Sequence, residues 1–212
     1  MLHSWIYSYV DGSLEGVKQG LGIDITDFGN MYNTSKSACI LVRNSSYNKA
    51  FDSGYFRLEI PWQNVVEVQH FKVDKKKKKK EENKSLLKSG LKLLAFAGLV
   101  AISGGAVLIL GAGKALLASG ALLIIDNVAK KAKKEDCFMI SYLEEDDPEN
   151  LKVIVVEHGK FLLKQATEFF NEVIIAKCNQ TPKADFVEAF VKKLEIEAEK
   201  LEAEGKLEGV TS

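Results

Sequence analysis

The chain has 212 residues, of which 46% are hydrophobic, enough for one domain with appendages. Its 29 basic and 29 acidic residues cancel, yet residues 72–134 hold 15 of the basic and only four of the acidic ones, so this segment carries +11 and the remainder −11. The basic charge brackets an apolar run and does not cover a folded surface, which argues against a nucleic-acid-binding protein.

The first 36 residues allow two interpretations. WIYSYV (residues 5–10) and GIDITD (22–27) are consistent with two strands, whereas LHSWIYSYVDGSLEGV is consistent with a short amphipathic helix. The N-terminus has neither a basic region nor a long apolar stretch, so no secretory signal is predicted.

Three strands are predicted between residues 37 and 73. SACILVRN (37–44) is short, apolar and bounded by polar residues, and GYFRLEIPW (54–62) alternates apolar with charged side chains. VVEVQHFKV (65–73) repeats that alternation. Pro61 lies between the last two runs and predicts an end or a bend there.

The chain after residue 136 predicts a β-hairpin followed by two helices. CFMISYLEEDDPENLKVIVVEH (137–158) contains two β-rich runs around a polar turn. GKFLLKQATEFFNEVIIAKC (159–178) has apolar residues at helical spacing, and Pro182 blocks its continuation. A charged amphipathic helix is predicted from about residue 184 to residue 204.

Together these elements predict an α+β fold, in which a small antiparallel β-barrel or sandwich is capped by the helix at 159–178. The pattern resembles pleckstrin-homology-like domains, in particular the bacterial and GRAM-type branch. The resemblance is carried by YFRLEIPWQNVVEVQHFKV, where a strand ends in an apolar-Pro-aromatic step, and by residues 137–178, which are similar to the family's last hairpin and capping helix.

A typical member of that family has a short loop where this chain inserts residues 74–136. The resemblance therefore implies a discontinuous domain formed by residues 1–73 and 137–178. It also implies an interaction module that binds a lipid headgroup or a protein.

The insert contains LLAFAGLVAISGGAVLILGAG (93–113), a run without charge that is typical of a membrane-spanning helix. A single span would place the strands before and after the insert on opposite sides of the bilayer, where they cannot share a domain. Lysine clusters on both flanks favour the cytoplasm for each flank. An apolar α-helical hairpin satisfies both conditions, so the insert is predicted to be a membrane anchor.

The hairpin prediction gives the small residues of the insert two roles. The turn is predicted at Ser103, Gly104 and Gly105, between arms at about 86–102 and 106–125. Close packing of the arms is predicted at Gly98, Ala101, Gly111, Gly113 and Gly120. Three alternatives stay open: shallow insertion into one leaflet, full crossing, and a soluble hairpin buried in the protein's own core.

The lysines that flank the apolar run are predicted to bind anionic lipid headgroups, at about 1 kcal/mol for each lysine near a membrane surface. A nuclear or nucleic-acid signal is the alternative, but the neighbouring apolar run favours a membrane. The predicted headgroup-binding residues are Lys75, Lys76, Lys77, Lys78, Lys79, Lys80, Lys130, Lys131, Lys133 and Lys134.

No catalytic or metal-binding constellation is visible in the sequence. GAGK (111–114) lacks the Ser or Thr that follows the lysine of a phosphate-binding loop. The isolated histidines, His3, His70 and His158, are predicted to be surface residues. The three cysteines, Cys39, Cys137 and Cys178, form no CxxC pair and are predicted to be reduced thiols of a cytoplasmic protein. The chain is therefore predicted to be a non-enzyme without a cofactor or metal.

Two functions are compatible with these features. The first is a membrane-anchored interaction module at the cytoplasmic membrane face, whose C-terminal helix (184–204) recruits a protein partner or self-associates. The second is a membrane oligomer, either a pore or a scaffold, in which glycine-rich hairpins pack between protomers and the β-domain supports them.

Overall fold

The computed structural model describes residues 4–28, 39–45, 56–73, 100–101, 128, 131–158 and 163–203. Its strands are β1 (Ser4–Gly12), β2 (Gly22–Asp27), β3 (Cys39–Asn44), β4 (Arg57–Pro61), β5 (Val65–Val73), β6 (Val100–Ala101), β7 (Asp136–Glu144) and β8 (Asp147–His158). A 3-10 turn, Trp62–Asn64, joins β4 to β5. Helix α1 comprises Leu163–Phe169, a π-helical segment Phe170–Ile175 and Ala176–Gln180, and helix α2 is Asp185–Ala203.

The strands form one open antiparallel sheet in the order β4-β3-β2-β1-β8-β7-β5-β6. The predicted barrel is therefore wrong, because β4 and β6 lie at opposite ends of the sheet and do not pair with each other. Pro61 ends β4 and cannot donate to a further strand, and the 3-10 turn then redirects the chain so that β5 pairs with β7.

The N-terminal segment forms strands, so the alternative of an amphipathic helix is wrong. Tyr7 and Tyr9 face the same side of β1 and belong to the main core, as alternation in a strand requires. The register between β1 and β8 shifts between Tyr9 and Asp11, and Gly12 follows with φ +129°. A Cβ at Gly12 would lie 2.1 Å from the carbonyl oxygen of Val153, so the close approach of β1 to β8 requires glycine there.

One face of the sheet, called the inner face here, is covered by α1. The Tyr7 hydroxyl donates a hydrogen bond to the Ala166 carbonyl at 2.8 Å and ties β1 to this helix. The Phe138 ring packs 5.2 Å from Tyr7 and 4.9 Å from Phe170, measured between ring centroids. The π-helical segment widens the helix where successive residues are buried, so that both Phe169 and Phe170 reach the sheet.

The opposite, outer face carries two separate apolar clusters. The first lies beneath the N-terminal half of α2, where Val187, Phe190 and Leu194 cover Val66 and Leu143. The Ala184 amide donates to the Gln63 carbonyl at 3.0 Å and positions the start of α2. The second cluster contains two residues of the returning end of the insert, and its members are Val10, Phe71, Val73, Val128, Ala132, Cys137, Met139, Val153 and Val155.

The prediction of an apolar α-helical hairpin with transmembrane helices is wrong. Val100 and Ala101, in the predicted first arm, form β6, where they pair with Val73 and Lys72 of β5. Ala101 is therefore a strand residue, and its predicted role in helix packing is wrong. Among the residues that the structure describes, no helix has the length and apolar character needed to cross a membrane. A strand at this position satisfies backbone groups at the edge of β5 that would otherwise stay unpaired.

The other residues of that prediction lie outside the described residues. They are the turn at Ser103, Gly104 and Gly105 and the packing positions Gly98, Gly111, Gly113 and Gly120.

Candidate functional site

The insert leaves and rejoins the sheet at a single point, which we call the neck and define by Lys72, Val73, Glu135 and Asp136. Lys72 lies opposite Asp136 in the register of β5 and β7. The Val73 amide donates to the Glu135 carbonyl at 2.8 Å. The strands before and after the insert are thus adjacent, and the chain on both sides of the neck starts from the same edge of the molecule.

Two groups of the predicted headgroup lysines adjoin the neck in the sequence. The run at residues 75–80 begins two residues after Val73, although it lies outside the described residues, as does Lys130. Lys133 and Lys134 immediately precede Glu135 on the other side of the neck.

A buried carboxylate holds the returning segment against the sheet. Glu157 of β8 is 6% exposed, and its Oε2 accepts the amides of Lys133 at 2.7 Å and Lys134 at 2.9 Å. These bonds use backbone groups of the two lysines. They fix where both side chains start.

Lys131 has a contact that the sequence did not predict. Its ammonium group donates to Asp11 of β1 at 2.8 Å, and its carbonyl accepts from the Gln19 side chain at 2.5 Å. Lys131 therefore ties the returning segment across β1 and the loop after it. With Val128 and Ala132 in the outer cluster, this makes the end of the insert part of the folded domain.

His70 is not the isolated surface residue that the sequence predicted. Its Nε2 lies 2.8 Å from the Asp136 carboxylate, and both side chains are 11% exposed. The imidazole also stacks on Phe138 with 4.7 Å between ring centroids. Only the pairing of β5 with β7 brings these residues together, so sequence spacing held no signal for the contact. Asp136 thus has a hydrogen-bond partner in His70, and the Lys72 ammonium group lies 4.0 Å away.

A cavity of about 330 Å³ lies at the opposite end of β7 from the neck. Its apolar wall comprises Leu14, Val17, Phe56 and Leu58. Gly12 makes the tight end of β1 possible and so places the next residue, Ser13, in the lining. The Ser13 hydroxyl accepts the Val153 amide at 3.0 Å.

The rim of this cavity carries charges of both signs, Glu15 and Glu144 against Arg57 and Lys152. Lys152 lies 3.3 Å from Asp147 and 3.6 Å from Glu144, and these two carboxylates raise the pKa of Lys152. The Arg57 guanidinium donates to Glu59 at 2.9 Å through Nε. The charges are therefore largely matched, and the cavity is not a concentrated anion site.

Tyr142 is the one polar side chain of the lining that is almost fully buried, at 4% exposure. Within the part of the chain that the structure describes, its hydroxyl has no hydrogen-bond partner. Burial first, and then the Glu144 carboxylate, raise the pKa of Tyr142 to about 12, so the hydroxyl is a neutral donor at neutral pH. The oxygen atom is open to solvent, since it is not among the buried polar atoms without a partner, so water or a ligand in the cavity can satisfy it.

A second buried polar group lies on the outer face. Glu67 is 3% exposed, one of its carboxyl oxygens accepts from the Gln69 side chain, and the other, Oε2, is buried without a partner. Burial raises the pKa of Glu67 to about 7. The alternation of β5 predicted an outward side chain here, but not that the outer face would be covered.

The cysteines and the acidic groups show no reactive centre in the described ranges. Cys39, Cys137 and Cys178 are all buried and none of them forms a disulfide. Burial raises the pKa of Cys39 to about 11 and also raises the pKa of Cys178, which disfavours the nucleophilic thiolate. The described residues include no group of three or more potential metal ligands.

No family model matches the chain, and no curated protein or solved structure is significantly similar to it. The resemblance to pleckstrin-homology-like domains consequently stays a prediction.

Proposed function

We propose that this protein is an interaction module that binds anionic lipid headgroups at the cytoplasmic face of a membrane, with the neck and its lysines as the contact. A relationship to pleckstrin-homology-like domains is part of the proposal. Seven strands of five or more residues, with the last hairpin followed by a helix that covers one face, support that relationship.

The observation that carries the proposal is the register of β5 and β7 at the neck. Because Lys72 lies opposite Asp136, the run at residues 75–80 and the pair Lys133 and Lys134 start from the same edge. Lysines that are more than 50 residues apart in sequence thereby adjoin the same point of the sheet. Lysines outnumber carboxylates on both sides of the neck, seven to three in residues 72–82 and four to two in residues 130–136, which leaves the local balance positive.

The distribution of charge along the chain supports an orientation in which the neck faces the membrane. Residues 72–134 carry +11, whereas the remainder of the chain carries −11. An anionic surface attracts the first part and repels the second, so the neck faces the membrane. Each lysine near such a surface contributes about 1 kcal/mol, and the attraction falls off within about 10 Å at 0.1 M salt.

The test compares two triple variants of the full chain on vesicles. One replaces Lys75, Lys76 and Lys77 with Gln, and the control replaces Lys164, Lys192 and Lys200, which are exposed lysines of the two helices. Both lose the same charge, but only the first loses it at the neck. We measure cosedimentation with vesicles of three parts phosphatidylcholine to one part phosphatidylserine, at low and high salt.

We expect the first variant to bind about 100-fold more weakly at low salt, since three lysines near the surface contribute about 3 kcal/mol. The control should bind like the native protein, and high salt should remove most of the difference. Equal weakening in both variants, or equal binding to pure phosphatidylcholine, would show that the neck is not the contact.

A further inference from the structure

The cavity and the neck lie at opposite ends of β7. Asp136 begins the strand at the neck and Glu144 ends it at the cavity, and nine residues of strand separate them by about 26 Å at roughly 3.3 Å per residue. A membrane at the neck would leave the cavity on the far side. A ligand of the cavity would then come from solution and not from the same bilayer.

The volume limits the size of such a ligand. Cavities that hold small molecules measure about 300–1,000 Å³, so one of about 330 Å³ suits a molecule of one or two amino-acid residues. The wall of Leu14, Val17, Phe56 and Leu58 suits one bulky apolar group. Tyr142 and Ser13 add neutral hydrogen-bonding groups to the same lining.

The rim determines which charges the ligand carries. Glu15 and Glu144 can receive an ammonium group, and Arg57 and Lys152 can receive a carboxylate. A ligand with a net charge of either sign is disfavoured, because the rim carries two carboxylates and two cations. A zwitterion meets the matched charges without adding net charge.

We propose that this cavity binds a free amino acid or a dipeptide with an apolar side chain, in its zwitterionic form. The apolar side chain packs on the wall, and the Tyr142 hydroxyl donates to an oxygen of the ligand. The two charged ends of the ligand pair with the rim. In combination with the proposed membrane contact, the protein would hold a soluble ligand at a membrane surface.

The experiment is isothermal titration of the full chain, without vesicles, with leucyl-leucine as the probe. The same dipeptide with an acetylated amino end and an amidated carboxyl end is the uncharged comparison, and glycerol phosphate is the anionic one. We expect saturable binding of leucyl-leucine and at least tenfold weaker binding of the other two. Saturable binding of glycerol phosphate with none of leucyl-leucine would overturn the assignment in favour of an anion site.

Variants locate the binding in the cavity. Tyr142→Phe removes only the hydroxyl, and about fivefold weaker binding is expected from one lost hydrogen bond. Lys152→Gln should also weaken binding, whereas Lys193→Gln, which removes a comparable lysine paired with Glu149 outside the cavity lining, should not. Unfolding curves establish that each variant folds. Unchanged affinity in the folded Tyr142→Phe and Lys152→Gln variants would disprove the site.

The triple variant at Lys75, Lys76 and Lys77 separates this inference from the proposed function. It should bind leucyl-leucine like the native protein even though it loses vesicle binding. Loss of dipeptide binding in that variant would contradict an independent site.

Discussion

The two faces of the sheet are covered in different ways. The inner face is closed by α1, which follows β8 directly in the sequence, and its core is continuous from Tyr7 through Phe138 to Phe170. The outer face is closed in two places, by α2 and by the returning end of the insert, and its two apolar clusters are separate. Along β5, Val66 belongs to one outer cluster and Phe71 to the other, with buried Glu67 between them.

The two faces of the sheet therefore contribute to the stability of the fold in different ways. A continuous aromatic core cannot lose one member without leaving a cavity, because interiors are close-packed. The outer face contains the buried carboxyl group of Glu67, which has one oxygen without a partner, so ionisation of this group changes stability. Part of the outer face is covered by the insert, so shortening the insert also changes stability. Four predictions test this comparison, in order of expected effect.

The largest effect is expected from neighbouring residues of β7 that face opposite sides. Phe138→Ala on the inner face should lower the free energy of unfolding by about 4 kcal/mol, and Met139→Ala on the outer face by about 2 kcal/mol. The cost is smaller on the outer face because its smaller cluster can relax further into the space that the side chain leaves. Urea unfolding followed by tryptophan fluorescence measures both. A larger loss for Met139→Ala would reverse the ranking of the two faces.

Shortening the insert tests its role as a cover. A chain in which a Gly/Ser loop replaces residues 74–127 keeps Val128 and the amides that bind Glu157, whereas replacement of residues 74–136 removes them. We expect the second chain to be less stable by at least about 3 kcal/mol, because it loses a buried valine and the bonds to a buried carboxylate, together with Ala132, the pair of Lys131 with Asp11 and the contact of Asp136 with His70. Equal melting temperatures for the two chains would show that the returning segment is not a structural cover.

The third prediction concerns Glu67 and pH. Its pKa is raised by burial from 4.5 to about 7, so between these values the unfolded chain releases a proton that the folded chain keeps. Stability is therefore complete below pH 4.5, falls as pH rises to about 7, and stays lower above it, by up to about 3 kcal/mol. Glu67→Gln should remove this loss, giving a variant more stable than the native chain at pH 8 but not at pH 4. Identical pH profiles from thermal unfolding in native and variant chains would contradict it.

The smallest effect compares one hydroxyl on each face. Tyr7 donates to Ala166 of α1, and Ser141 donates to the Glu67 carbonyl at 3.1 Å. Tyr7→Phe and Ser141→Ala should each cost about 1 kcal/mol, as for a typical buried hydrogen bond. Hydrogen exchange should distinguish them, because only Tyr7→Phe should speed exchange of α1 amides. Faster α1 exchange in Ser141→Ala would show that the faces are coupled.

Local patterns predicted most of the regular elements. The run at residues 65–73 was predicted as a strand and is β5, and the helix predicted at 159–178 is α1, which extends from Leu163 to Gln180. Helix α1 is apolar on one side, so its periodicity records which side is buried. β5 has buried apolar residues on both faces, and its β-branched residues also mark it as a strand. The interpretation of the insert failed because an apolar run has no periodicity. The same composition suits a membrane helix, a buried helix or a strand, and Val100 and Ala101 are in a strand.

The sequence alone determined the strands and helices that flank the insert and the separation of charge along the chain, since both depend on residues close together in the sequence. Only the tertiary structure decided the open sheet, the neck that gathers distant lysines, the contact of Lys131 with Asp11, and the cavity with Tyr142. Each of these depends on which strands pair and in which register. A shift of one residue in the register of a strand would exchange its two faces and destroy the neck, the contact and the cavity. The register results from packing over the whole sheet.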